Sequence, residues 1–526
     1  MTSTGSIFLD LNNDVLLLIF EYLWPAGRLR PLSMTSSAMR EAVMPILFSH
    51  CKVFVKGPLN AAQFVPESLW PYVRSLYLID RCPDFLAMRN TQSKLKFTND
   101  RLMCGIMSAT FLGDALRAMP LLRSVSLEIR AKEKHGIGWE SLAAILSTPQ
   151  LRSFTLGTFF FSPREVPSEM CANTLAPITT FRYDQRSFRS FLRTYPVQED
   201  SLAFVITRLH RSLESLLLPS EVAPIAALAH TEWPQLRELF LIGDFYPNAA
   251  HTGPLMTLFL GMPKLRVLNL KLALPKHVAR DQLMFWPRGF ESQQPWPNLE
   301  VLTISYPNPE DQIFAHLPPS LRRLSLRCTP HHCFHLWEPR QHFFRHSPIL
   351  QASEMLEILK QLPTHFLDFL ELEYLTDDAD DDLLCCVTEH FPHVQVLEIH
   401  RFLASRDDPV PVASIAQRLA TLHSLHKLRV HLELPESNVV QRPSQLSRHF
   451  GIRHYTPSDT KALCETAATL ASVLPQSGLA LWLLQREDFG ARWRLFRQVI
   501  KDNIDEGPQM ELDPHGDQDI AVRVFG

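Results

Sequence analysis

One arrangement of hydrophobic and polar positions recurs along the chain: proline, any residue, an aliphatic, two mostly polar residues, an apolar residue, a variable residue and an aliphatic. It reads PYVRSLYL at 71–78, PLLRSVSL at 120–127, PQLRSFTL at 149–156 and PQLRELFL at 234–241, and it begins again at Pro263, Pro297, Pro319 and Pro392. Copies without the leading proline lie at 178–183, 213–218, 367–372 and 425–430. Their first aliphatics are 22 to 49 residues apart, and most intervals match one strand plus one helix. Between the copies, residues 112–119, 139–146, 255–262, 354–362, 382–391 and 412–422 carry apolar side chains at helical spacing. The unit predicted is helix, proline stop, short strand, and the 40 prolines against 18 glycines supply the stops.

Side chains alternate along a strand, so the last two aliphatics of each copy point to the core and the residues between and after them point away. One such unit cannot cover its own apolar face, whereas stacked units share a continuous core. The expected fold class is therefore α/β, a solenoid with parallel strands inside and helices outside. Its outward positions, expected on a solvated concave wall available to a protein target, include Ser126, Thr155, Phe240, Asn269, Lys271, Arg323, Arg327, Glu371, Glu373, Glu398 and Arg429. Their charge alternates in the later units, from arginine to glutamate and back, which suits a partner of mixed charge. The Leu-x-x-Leu-x-Leu core resembles the leucine-rich-repeat family in an irregular form lacking the usual following Asn or Cys. The resemblance covers residues 70–435.

The N-terminus carries a different pattern. In LNNDVLLLIFEYL at 11–23, Leu11, Val15, Leu16, Ile19, Phe20 and Leu23 share one helical stripe, and Asn12 or Asn13 suits a helix cap. A second amphipathic stretch follows, with LSMT at 32–35 and an alanine-containing helix ending in PILF at 45–48. Together these segments are similar to an F-box of the fungal type, covering residues 7–53, with Asn12 in the place of the family's usual proline. The resemblance implies a helix-in-groove contact with a Skp-type adaptor, and through it a cullin, made by Leu11, Val15, Leu16, Ile19, Phe20, Leu32 and Leu47. It further implies a substrate-recognition subunit of an SCF-type ubiquitin ligase with no catalysis of its own, whose target is not legible. The alternative is a scaffold with the same two parts that works outside a ligase, such as a transcriptional or chromatin adaptor.

Composition narrows the classes. A formal net charge of −3 over 526 residues gives no basic face for nucleic acid or an acidic membrane. No apolar run approaches the roughly 20 residues of a membrane span, and the stretch at 15–20 is bracketed by Asp14 and Glu21 with no basic residues before it, unlike a signal sequence. Nine scattered cysteines without a Cys-x-x-Cys pair predict neither a disulfide framework nor a zinc ribbon, and place the chain in a reducing compartment, cytoplasm or nucleus. Cys328, His331, His332, Cys333, His335, His342 and His346 cluster in one long interval, but they fit no standard finger spacing, so neither metal nor cofactor is expected. Phosphate-binding glycine loops, nucleophile elbows and His-Glu-x-x-His are absent, which argues against an enzyme. Residues 436–502 leave the repeat pattern, with a linker at 442–457, a helix to Leu474 and apolar strand or helix faces beyond, and read as a C-terminal cap. Residues 503–526 are polar and are expected to be disordered.

Overall fold

All twelve copies of the pattern become strands, and each strand begins two residues after the first aliphatic of its copy. The computed structural model describes residues 11–24, 28–84, 93–129, 136–158, 160–161, 175–184, 196–245, 254–275, 283–291, 296–329, 331, 345–346, 348–363, 367–405, 408–434, 457–474, 479–487, 490–499 and 509–513. The chain divides into two units, residues 1–227 and 228–526. Both are α/β with a mostly parallel open sheet.

The first unit opens with three helices, α1 (Asn13–Leu23), α2 (Leu29–Ser33) and α3 (Ser37–Leu47). Two side chains start them: Asn12 Oδ1 accepts the Asp14 N–H at 3.1 Å, and Ser36 Oγ accepts that of Met39 at 3.1 Å. A parallel run follows in chain order: β1 (His50–Val55), β2 (Ser75–Asp80), β3 (Ser124–Ile129), β4 (Ser153–Gly157), β5 (Thr180–Asp184) and β6 (Ser215–Pro219). Strand β1 corrects the sequence reading, which left residues 50–53 at the end of the helical segment. Between strands lie α4 (Ala109–Arg117), α5 (Trp139–Leu146) and α6 (Pro196–Leu209), with α4 packed on α5.

The second unit repeats the scheme with β7 (Glu238–Asp244), β8 (Val267–Pro275), β9 (Val301–Ile304) and β10 (Arg323–Leu326). Short β11 (Arg345–His346) runs antiparallel to β8, and β12 (Leu350–Gln351) lies beside the end of β13 (Phe369–Leu375). Strand β13 pairs with β10, and β14 (Val396–Phe402), β15 (Lys427–Leu432) and β16 (Ala480–Glu487) continue in parallel. An antiparallel end is made by β17 (Gly490–Val499) and β18 (Gln509–Leu512). Helices α7 (Ala352–Gln361), α8 (Asp380–His390), α9 (Val412–Leu419) and α10 (Pro457–Val473) pack each on the next. The acidic run before Leu383 supplies the first turn of α8, where carboxylates meet the positive helix terminus. Strands β16 and β17 extend the sheet from the segment read as a cap. Strand β18 falls inside 503–526, so residues 509–512 are ordered where disorder was expected. Apart from Pro457, the linker expected at 442–457 lies outside the described residues.

The inward positions form continuous rows. In the first unit Leu76, Val125, Phe154, Phe181 and Leu216 are successive partners, and all are buried. In the second, Leu239, Leu268, Leu302, Leu324, Leu370, Leu397, Leu428 and Leu481 do the same, with a parallel row from Leu241 to Leu483 two residues on. Each large aliphatic contributes about 1.5 to 3 kcal/mol on burial, so these rows dominate the stability of each sheet.

The turns into the strands are closed chiefly by the main chain, with side-chain contacts such as Arg266 to Glu300 beside it. The carbonyl just before most of the parallel strands accepts two N–H groups from the next unit: Arg74 O from Arg123 and Ser124, Arg123 O from Arg152 and Ser153, Arg266 O from Glu300 and Val301, Asp368 O from Gln395 and Val396. This recurring main-chain contact satisfies the polar groups at the turn, the task an asparagine performs in regular repeats.

Candidate functional site

Two features stand out as sites. The first is on the N-terminal helices. Six consecutive apolar residues, 15–20, exceed what one face of an 11-residue helix can bury, and α1 resolves the surplus into two faces. Leu16 and Phe20 turn inward and make a small core with Leu29, Met39 and Val43, Phe20 being 1% exposed. Val15, Leu18 and Tyr22, at spacings of three and four, lie on the other face, with Leu11 just before the helix. Leu18 is 66% and Tyr22 83% exposed, and Leu17 and Met34 are exposed nearby in sequence.

Of the residues expected to contact an adaptor, Leu11 and Val15 are therefore exposed, and Ile19, Leu32 and Leu47 are half-buried. Leu47 lines an open groove with Met34, Met44, Phe48 and Phe54. Leu16 and Phe20 are corrected: they hold the helices together and are not on the surface. The sequence reading merged both faces into one stripe and so omitted Leu18 and Tyr22. The length of the apolar run was the signal that could have separated them.

The second feature is in the second unit. Its outward rungs, expected to meet solvent, are largely buried. Thr303, Ser325, Glu371, Glu398, Arg429 and Trp482 are successive strand partners and are all buried. Two residues further on, Glu373, His400 and His431 form another buried rung, joined by Arg327 and His331. Polar groups removed from water must find partners, and here they find each other. Arg327 Nε lies 2.9 Å from Glu371 Oε1, and Ser325 Oγ donates to Glu371 Oε2. His400 Nε2 is 3.0 Å from Glu398 Oε1 and 3.8 Å from Glu371 Oε1, while Arg429 donates to Glu398 Oε2 at 3.1 Å. Glu373 Oε2 accepts the Cys328 N–H at 2.6 Å and its Oε1 lies 3.4 Å from His331 Nδ1. Aromatic rings close the assembly: Trp493 meets His400 at 5.5 Å between centroids, and the Arg429 guanidinium lies 5.6 Å from the ring centroids of both Trp482 and Trp493.

The electrostatics follow from burial. Burial pushes the Glu371 carboxyl up, against the pull of Arg327. Burial also opposes the charge on Glu398, but the hydrogen bond and charge of His400, with Arg429 and Arg327, hold its carboxyl well below the usual range. His331 is lowered to about 3 by burial and by Arg327 and His400, so it stays neutral. Lys271 is lowered to about 8 by burial and Arg327, while Glu371 and Glu398 pull the other way. The cluster reads as a buried ionic network that is only partly satisfied, because His400 Nδ1 and Arg429 Nε are buried with no hydrogen-bond partner among the described residues.

Of the residues expected on an open wall, Arg327, Glu371, Glu373, Glu398 and Arg429 thus share this network, and Lys271 is within its electrostatic reach. The expectation of a solvated face is corrected for these five buried residues, because alternation fixes which side a residue takes and not what covers that side. Phe240 and Asn269 are half-buried, and Arg323 is exposed with its guanidinium 4.8 Å from the Phe369 ring centroid. In the first unit the equivalent positions Tyr77, Ser126 and Thr155 are half-buried and Arg182 is exposed. Of the Cys/His interval, Cys328 and His331 are in the network, His346 contributes its backbone to β11, and the other four residues lie outside the described ones.

Comparison of the chain with protein-family models and with curated proteins returned no match. Among the described residues no helix is long and apolar enough to cross a membrane.

Proposed function

We propose that the chain is a non-catalytic substrate-recognition subunit of an SCF-type cullin ubiquitin ligase, with an F-box at its N-terminus and irregular leucine-rich repeats behind it. The observation that carries this reading is the second apolar face of α1, where Leu18 and Tyr22 stand in solvent beside Val15 on a helix whose other face already fills a core. Exposed large apolar side chains grouped on one helical face mark a docking surface rather than a fold requirement. A Skp-type adaptor fits by the F-box resemblance of residues 7–53. Burying Leu18 and Tyr22 against a partner stabilises the complex by about 1.5 to 3 kcal/mol each before association costs. The repeating strands support a protein-binding role for the remainder, and the target is assigned to outward positions that remain accessible, Ser126, Thr155 and Arg182 in the first unit and Phe240, Asn269 and Arg323 in the second.

The test is co-purification of the full chain with a Skp-type adaptor, comparing wild type with L18D/Y22D. A stoichiometric complex lost in the variant, with its circular dichroism unchanged, supports the ligase reading. Folded wild type that forms no complex overturns it and leaves the scaffold outside a ligase. The choice of exposed positions matters, because F20D would unfold the helices and give the same loss for another reason.

A further inference from the structure

Among the described residues, two clusters place three potential metal donors within 4.8 Å of one another: His331 with Glu371 and His400, and Asp80 with Cys82 and Cys104. The first is the ionic network already described, and the Arg327 guanidinium bonded to both Glu371 and His331 occupies it with positive charge. The second has a different character.

Asp80 ends β2, Cys82 lies two residues on, and Cys104 belongs to the segment that returns towards α4. All three are buried, the two thiols at 1% and 9% exposure. Asp80 Oδ1 accepts the Cys82 N–H at 2.6 Å, and the donor atoms of the three side chains converge to within 4.8 Å of one another. The returning segment packs closely at Gly105, where a Cβ would fall 1.8 Å from the Phe97 carbonyl oxygen. Asp84, buried beside Cys82, accepts the Lys96 and Phe97 N–H groups at 2.8 and 2.6 Å and fixes the returning segment. The Cys104 N–H is bonded to Gly136 O at 2.9 Å.

We propose that Asp80, Cys82 and Cys104 form a structural site for a zinc-class divalent cation, which pins the 93–108 segment to the end of β2. Two thiolates and a carboxylate suit a borderline-soft ion that prefers tetrahedral sulfur and oxygen donors, and water supplies the fourth. Binding releases the two thiol protons to solvent as two metal–sulfur bonds form. Asp84 acts behind the donors by holding the turn that presents Cys82.

The test uses the full chain purified under reducing conditions without chelator, incubated with zinc and dialysed. Metal analysis is expected to give about one zinc per chain, falling to background in C82S/C104S and unchanged in C385S. A readout independent of variant folding is cobalt loading of the wild type, which should give thiolate-to-cobalt charge transfer and the intense visible bands of a tetrahedral site. The proposal is overturned by a wild-type chain that retains no zinc, by a cobalt spectrum of oxygen donors alone, or by zinc retained in the double variant. Peptide mapping that finds Cys82 and Cys104 joined as a disulfide in the reduced preparation also overturns it.

Discussion

Replacing Arg327 by leucine should cost far more than replacing Arg327 and Glu371 together. Both side chains are less than a tenth exposed and meet at 2.9 Å. Removing the guanidinium leaves the Glu371 carboxylate buried, with the Ser325 hydroxyl and His400 at 3.8 Å as its remaining partners among the described residues. Breaking a buried pair in this way typically costs about 3 to 5 kcal/mol, whereas exchanging both members for apolar residues of similar volume is often neutral or stabilising by about 1 to 4 kcal/mol. We therefore expect R327L to lose about 3 to 5 kcal/mol and R327L/E371L to recover most of it, a coupling well above that of independent sites. Because the chain has two units, a single unfolding curve is not a two-state measurement. Local opening should instead be followed by hydrogen exchange with mass spectrometry, on peptides covering β13 and β14. A loss of 3 to 5 kcal/mol corresponds to protection lower by about two to three and a half orders of magnitude there. A cost of R327L below about 1 kcal/mol, or a double variant as unstable as the sum of the singles, would refute the view that the network is held by mutual charge compensation.

Phe20→Ala should destabilise the N-terminal helices by about 3 to 5 kcal/mol, seen as faster exchange across α1 and α3, while L18D should leave that exchange within a few-fold of wild type. His331 provides a pH signature. Its folded pKa near 3 is below the ordinary 6.5, so the unfolded chain binds the proton first and the stability present above pH 6.5 drains away as pH falls. Between pH 6.5 and 5 wild type should lose about 2 kcal/mol relative to H331N. The comparison with the variant removes the contribution of Asp311, whose carboxyl burial raises to about 6 and which therefore loses stability as pH rises through that value. Lys271, lowered to about 8, should react with an amine-directed label with a midpoint near that pH, two units or more before surface lysines, as read by peptide mapping.

The framework of both units was legible because it rests on short-range rules. An aliphatic two residues before each strand, alternation within it and, in eight of the twelve copies, a leading proline were enough to position β2 to β10 and β13 to β15. The helices at 139–146, 380–390 and 412–419 fall where apolar spacing put them, although residues 255–259 close into a 3-10 turn rather than an α-helix. What was not legible depends on contacts between distant segments. Residues 50–53 fall in the span 7–53 read as a helical F-box, and their pairing with β2 makes them a strand instead. Glu371, Glu398 and Arg429 read as a solvated face because each is charged, yet their opposite signs on one rung were the hint that they compensate one another. The Asp80, Cys82 and Cys104 cluster joins residues 24 positions apart, through a turn that sequence spacing does not reveal.

The paired N–H contacts onto the carbonyl before most of the parallel strands are made by the main chain, so the contact itself does not depend on which side chain stands there. Arg74, Arg123, Arg266, Glu300, Asp368 and Gln395 all occupy the same place, so residues of either charge or none can present that carbonyl, with Arg266 and Glu300 also pairing through their side chains. A unit can then be duplicated, deleted or lengthened between two such carbonyls without a matched partner having to change elsewhere. Such a lineage can diverge at nearly every surface position, and its members would be related by the rhythm of their aliphatic residues long after their identities had parted.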